Sequence, residues 1–391
     1  MTSVDTTTAG WHQDLGRGGT GVALARIVSV RLSGLPPRAT APSIRAMMAS
    51  PVTASASASL FYGAPAVAFV LHTTAHPAYA AMLATLDGHV NDLTAMKLAA
   101  AYERMDRGEL TRPSEYDLIS GLAGLGVYHL VRHGSAGPGM TSAVLDYLVA
   151  LSAPVCRNGV SLPGWWSGAG PASMPDPAWP DGHLNLGMAH GIAGVLALLS
   201  GAMRVGIQVK GHAEAVSELC ATFDRYRQGS SACPWWPAMI SFSEYSHGTA
   251  NSERQARPSW CYGTPGQARA QQLAGLVLGD QERMRLAESA LAGCVLDRQV
   301  ACLLTDASLC HGWAGVVQAL WRAAGDALDP GPLQAALREA RRGMEDQLTR
   351  MGPPASSGLL EGTSGIQLAQ NDLPRTGSDP PAWDACLLLT L

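Results

Sequence analysis

The stretch GMAHGIAGVLALLSGA, residues 187–202, joins a Gly-x-x-Gly turn to a run that is apolar on almost every side of a helix. Val195, Leu196, Leu198 and Leu199 cannot share one narrow stripe, so a helix here has to be enclosed by others. Glycine at the entry supplies backbone freedom and lets neighbouring backbone come close where the chain turns sharply. One such stretch fits many helical proteins. Its recurrence narrows the choice.

Related stretches read GRGGTGVALARI (16–27), FYGAPAVAFVLH (61–72), YDLISGLAGLGVYHLV (116–131), WCYGTPGQARAQQLAG (260–275), CHGWAGVVQALWRAAG (310–325) and LLEGTSGIQLAQ (359–370). With 187–202 they make seven, and from the second stretch on the leading glycines are Gly63, Gly121, Gly191, Gly263, Gly312 and Gly362. Their spacing, roughly 50 to 70 residues, is that of a helix hairpin with its loops. Amphipathic segments such as PLQAALREARRGMEDQL (332–348) lie between them and suit a solvated outer layer. The pattern predicts an all-α fold, an α/α toroid (double α-barrel) with an inner ring of seven helices inside an outer ring. An irregular helical bundle with glycine-rich turns satisfies the same periodicity.

Aligned on the leading glycine, the preceding residues are Arg17, Tyr62, Ser120, His190, Tyr262, His311 and Glu361. All are polar or amphipathic. Cys261 and Cys310 stand one place earlier in their stretches. If the turns of a ring face one axis, these side chains converge at one end of it.

The bulk properties agree with a large core. The chain has 391 residues, 47% apolar and 15% charged, ample for one large toroid or barrel or two domains. A formal charge of −4 argues against a nucleic-acid groove or a polybasic membrane anchor. No run of about 18 apolar residues is present, so no integral membrane segment is expected. The opening residues MTSVDTTTAGWHQ lack the features of a signal peptide. The expected location is therefore cytoplasmic, with peripheral placement at the inner face of the membrane open. The eight cysteines are then expected as thiols or metal ligands and not as a disulfide framework.

YDLISGLAG, LNLGMAHGIAG, SWCYGTPG and LCHGWAG, in this order and at these distances, resemble the motif series of the lanthionine synthetase C-like (LanC) family. The run LPGWWSGAGPASMPDPAWPDGHLNLGMAHG (162–191) also resembles the segment leading to the family's histidine motif. The resemblance extends from about residue 15 to 370. It implies a single α/α toroid domain of seven inner and seven outer helices over 1–391, of the size of a stand-alone class I cyclase, with 372–391 a Pro-rich C-terminal segment of unassigned role. It also implies one zinc ion per chain and closure of thioether rings in a dehydrated precursor peptide. Two departures concern turn geometry: Ala66 replaces the second glycine of its stretch, and the first stretch reads Gly-Gly-Thr-Gly.

The chemistry follows residue by residue. Cys261, Cys310 and His311 offer two thiolates and an imidazole, a donor set suited to Zn²⁺, and three protein ligands leave a fourth position open. Buried thiols beside a core histidine are the structural alternative. Zinc would deprotonate a substrate cysteine thiol, which is otherwise only a few per cent thiolate at neutral pH. Attack on dehydroalanine or dehydrobutyrine gives an enolate that needs a proton. His190 matches the family's catalytic histidine and is the candidate proton carrier, against a reading as a satisfied core histidine. Asp117 matches the family's aspartate and could orient His190 or cap a helix. Arg257 matches a family arginine that could steady the enolate or a carboxylate, or it is a surface charge. Tyr262 lines the pocket or merely packs.

Toroids also host glycosidases and terpene cyclases. Glycosidases need paired carboxylates, and the aligned positions offer only Asp117 and Glu361 beside the thiols. No Asp-rich motif of a terpene cyclase is visible. The second reading is a non-catalytic zinc-dependent module that binds a thiol or peptide. Expected partners are the dehydrated precursor, with its leader and core, a lanthipeptide dehydratase and an exporter complex; no nucleic acid is expected.

Overall fold

Each leading glycine of the repeat stands at the start of a helix. The computed structural model describes residues 10–133, 139–157, 159–172, 174–250, 255–371 and 382–390. Among these, thirteen helices of seven residues or more alternate between two layers. The inner ones are α1 (Gly19–Leu32), α3 (Ala64–Thr73), α5 (Leu122–Val131), α7 (Ile192–Arg204), α9 (Thr264–Leu278), α11 (Trp313–Asp326) and α13 (Thr363–Asn371). The outer ones are α2 (Ala41–Met47), α4 (Ala80–Asp106), α6 (Gly139–Leu151), α8 (His212–Arg225), α10 (Gln281–Leu296) and α12 (Pro330–Met351). Each inner helix packs on the next, and α13 returns to α1, so the ring closes. The expected α/α toroid is present, with seven inner helices and, among the described residues, six outer ones.

Burial separates the layers as the sequence pattern requires. Every residue of α7 from Ile192 to Ala202 is buried. On α12 only Leu333, Ala336, Leu337, Ala340, Met344 and Gln347 are buried, the spacing of one helical face.

Close approach explains the paired glycines. A Cβ on Gly124, Gly194, Gly266, Gly315, Gly365 or Gly21 would lie 2.0 to 2.4 Å from the carbonyl oxygen six residues earlier, well inside contact distance. The leading glycines Gly121, Gly191, Gly263 and Gly312 have φ between −134° and −100°, which other residues adopt freely, so space is what they supply. The second stretch departs in conformation as well as sequence. Gly63 takes φ +75°, a region that favours glycine, and Ala66 follows a turn of different shape.

The seven turns are stitched together by backbone hydrogen bonds. Leu15 N–H donates to Phe61 C=O, Leu360 to Gly16, Cys310 to Leu360, Cys261 to Cys310, Ala189 to Cys261 and Leu118 to Ala189, all at 2.8 to 3.2 Å. Six bonds thus join consecutive turns into a belt. The seam between the second and third turns has no such bond among the described residues.

Small non-helical features accompany the ring. Six three-residue strands form three antiparallel pairs in the excursions between α6 and α7 and between α8 and α9; the pair Val155–Arg157 with Val160–Leu162 is one of them. Strand His183–Asn185 pairs with Met239–Ser241 and so ties the two excursions to each other. Helical periodicity carries no signal for strands this short.

The C-terminal segment has a definite place. Residues 372–381 and 391 lie outside the described residues. Trp383 to Leu389 are at most 1% exposed. Trp260 Nε1 donates to Leu387 C=O at 2.9 Å, Arg269 Nε to Leu389 C=O at 3.0 Å, and Arg322 Nε to Asp384 at 2.6 Å. The segment also packs on α5. A buried segment that meets the third, fifth and sixth inner helices lies inside the ring, where it fills the hub.

Candidate active site at the mouth of the ring

A cavity of about 590 Å³ opens where the inner helices begin. Arg17, Tyr62, Ser120, His190, Tyr262, His311 and Glu361 all line it. These are the seven residues that precede the leading glycines. Cys261, Cys310 and Arg257 line it too. Asp117 lies behind the wall, 1% exposed.

A recurring cap holds these side chains at the rim. Four residues before the leading glycine, a polar side chain accepts the N–H of the rim residue: Asp14 from Arg17 (2.7 Å), Asp117 from Ser120 (2.7 Å), Ser259 from Tyr262 (3.4 Å) and Ser308 from His311 (3.3 Å). Short polar side chains favour such local turns over helix. The turn therefore aims the next side chain inward.

Gly121 is the N-cap of α5, while Asp117 closes the turn before that helix and also holds His190. Its Oδ1 accepts from Ser120 and Gly121, and its Oδ2 accepts from His190 Nδ1 at 2.6 Å. Burial works to lower the His190 pKa, but the hydrogen bond and charge of Asp117 outweigh it and raise the value above the ordinary histidine. With Nδ1 held, Nε2 faces the cavity. The Tyr262 ring stacks on His190 at 6.0 Å between centroids. Burial, with the nearby Cys261 and Asp117, pushes the Tyr262 phenol up to about 12, so it is a neutral hydroxyl. It both lines the cavity and packs.

The belt brings the two thiols together, since Cys261 N–H is bonded to Cys310 C=O at 3.2 Å. Their side chains share a hydrogen bond, which lowers the pKa of Cys261 and raises that of Cys310. His311 Nδ1 donates to Asp306 Oδ2 at 2.9 Å, and its Nε2 lies 3.8 Å from Glu361 Oε1. The hydrogen bond that His311 donates to Asp306 raises the His311 pKa. Burial alone would raise Asp306, yet His311 and Ser308 hold it well below the usual carboxylate range. A carboxylate on one imidazole nitrogen, leaving the other for a cation, is the usual second-sphere arrangement of a metal-binding histidine. Among the described residues no three His, Cys, Asp or Glu side chains stand closed around a point as a ready metal cluster. Two thiols and an imidazole at one cavity are nonetheless the right donors in kind for zinc.

Arg257 pairs with a carboxylate, one of the two roles open to it from sequence. Its Nη1 lies 3.3 Å from Asp306 Oδ2, so it joins the His311 carboxylate at the cavity edge. Asp306 itself escaped the sequence reading, although the run DASLCH carries the signal: Ser308 N–H closes a turn on Asp306 Oδ1 at 2.8 Å. Lys97 of α4 was also missed. It reaches inward to donate to Ser120 C=O at 2.9 Å, and no spacing on its own helix marks it out.

Fold and site together define an α/α toroid whose inner turns present two thiols and two carboxylate-held histidines to one cavity. The chain belongs to the lanthionine synthetase C-like family, whose family model matches residues 12–388. It is 24% identical over 259 residues to the "Nisin biosynthesis protein NisC" of Lactococcus lactis subsp. lactis. That match spans 66% of this chain and 60% of the relative. The fold is similar to a solved structure of "Nisin cyclase", with a TM-score of 0.81, 21% identity, and coverage of 98% of this chain and 94% of that one.

Proposed function

We propose that this protein is a lanthipeptide cyclase, which adds cysteine thiols of a peptide to dehydroalanine or dehydrobutyrine in the same peptide and forms (methyl)lanthionine. The observation that carries the reading is the meeting, in one open cavity, of the Cys261–Cys310 thiol pair with the Asp117–His190 pair. Cys261, Cys310 and His311 would hold a zinc ion, which when bound supplies a deprotonated and still nucleophilic substrate thiol.

The remaining chemistry falls to the chain's own side chains. The substrate sulfur forms a bond to the β-carbon of the dehydrated residue, and the electron pair of the C=C bond moves toward the carbonyl. His190 Nε2–H delivers a proton to the α-carbon, which restores the C–H and leaves nothing expelled. Asp117 holds Nδ1 and stabilises the charged ring before transfer. Asp306 fixes His311, and Arg257 sits against Asp306 where it also offers positive charge at the rim. The thiol proton leaves to water, and His190 is recharged from water for the next ring.

The wide opening suits a long peptide, and a dehydratase acting first on the same precursor, with an exporter acting later, belongs to this reading. No described helix is long and apolar enough to cross a membrane. The test is incubation of a dehydrated precursor with the zinc-loaded protein, followed by alkylation of free thiols. Mass stays constant while alkylatable thiols disappear. Thiols that persist while the peptide binds would instead favour the thiol-binding module.

A further inference from the structure

The opposite end of the ring holds a second cavity, of about 570 Å³. Five guanidinium groups line it: Arg204 of α7, Arg269 of α9, Arg322 of α11, and Arg338 and Arg341 of α12. Two carboxylates answer them. Asp326 bonds Arg204 and Arg269, each at 2.7 Å, and Asp384 of the hub segment bonds Arg322 at 2.6 Å. Those three arginines are satisfied by partners of their own.

Arg338 and Arg341 are not. Neither forms a salt bridge among the described residues; Arg338 is exposed to solvent, and Arg341 is partly buried. Nε and Nη2 of Arg341 are buried with no hydrogen-bond partner, and the carboxylate that acts on it is Glu345, one turn along its own helix. A buried donor left unsatisfied is costly, and a charged one more so. Helix-end electrostatics do not explain the pair, because both residues stand in the interior of α12, which runs on to Met351. General basicity does not explain it either, since the chain carries a formal charge of −4.

The structure assigns to this cavity a small phosphate-bearing ligand, a phosphate monoester or diphosphate. Guanidinium groups are planar forks that suit phosphate oxygens, and here they come from α7, α9, α11 and α12 and so surround the space. A tetrahedral dianion can accept from several directions at once, whereas a planar carboxylate fills fewer of them. The cavity exceeds one phosphate in size, and Trp321 and Leu337 give part of its wall an apolar surface for an organic remainder.

The probes are pyrophosphate and phenyl phosphate, titrated against the full chain by calorimetry and thermal melting, with sodium chloride at matched ionic strength as control. Saturable binding with a raised melting temperature is expected for both probes and not for chloride. In Arg338→Gln/Arg341→Gln the affinity should fall at least about tenfold, while zinc content and cyclisation stay as in the parent. Arg338→Lys/Arg341→Lys keeps the charge without the fork and should bind several-fold more weakly than the parent, which preserves the test if the glutamine variant does not fold. A melting shift equal to that in chloride, or undiminished affinity in either pair of variants, would overturn the assignment. So would arginine-dependent binding to phosphatidylglycerol vesicles with none to the free phosphates, because the occupant would then be a lipid surface.

Discussion

Asp117 and His190, 73 positions apart in the chain, are joined by a 2.6 Å hydrogen bond between Oδ2 and Nδ1. The second carboxylate oxygen closes the turn at Ser120 and Gly121. One oxygen holds His190; the other closes the turn that leads into α5, whose N-cap residue is Gly121 and not the aspartate.

That division makes the two roles separable. Asp117→Asn keeps a carbonyl oxygen for the turn but presents an amide to His190, which loses its charge partner. Cyclisation should fall about 10²-fold, the scale of a displaced acid–base group, with little change in melting temperature. Asp117→Ala removes the turn acceptor as well and should lose about a further 1 kcal/mol of stability. Comparing rates and melts of the two variants decides it. Normal rates in the asparagine variant would reduce Asp117 to a structural residue.

Asp306 should matter to metal and not to folding. Asp306→Asn leaves the turn acceptor in place but weakens the hold on His311, and zinc affinity should drop about 10–100-fold. Competition with a chromogenic chelator reads this directly. Cys310→Ala should abolish stoichiometric zinc; a full equivalent by elemental analysis would exclude the proposed ligand set.

Acid should destabilise the ring through Asp87. Arg132 and Asp87 pair at 2.6 Å with side chains 9% and 8% exposed, and Tyr128 donates to the same carboxylate. Burial would raise the Asp87 pKa, but the bonds from Arg132 and Tyr128 outweigh it and lower the value below the ordinary aspartate. A depressed folded-state pKa gives stability that is present above the unfolded value, about 3.9, and is lost as pH falls through the folded one. Melting temperature should therefore decline more steeply below about pH 4 in the parent than in Asp87→Asn. At neutral pH that variant should be less stable by about 3–5 kcal/mol, because Arg132 stays buried without its partner.

The hub segment should be required for stability. Trp383 is fully buried, and Trp383→Ala should cost about 3–5 kcal/mol in urea unfolding. A loss below about 1 kcal/mol would show that the ring closes well without its filling.

Much of this was legible before any coordinates. The leading glycines mark the helix starts because the crowding they relieve is local, between a helix entry and the turn before it. The seven rim residues could be aligned for the same reason. Asp306 and Lys97 were not legible, since their roles depend on partners that only the closed ring brings near. Arg257 shows the limit of position alone: its place at the cavity was foreseen, its bond to Asp306 was not. WDACLLLTL (383–391) defeated the reading because a short apolar run carries no period, and its destination is a space that exists only after distant helices have met.

The hub has a bearing on how the protein is made. Trp383 to Leu389 follow all seven inner helices in sequence, so they leave the ribosome after the wall that surrounds them. Until then Trp260, Arg269 and Arg322 lack their bonds to this segment. Synthesis thus passes through an unfilled stage in which these indole and guanidinium groups lack their bonds to the hub. Arrival of Trp383 to Leu389 ends that stage, so a chain with its hub filled differs from one without it by the state of its interior alone.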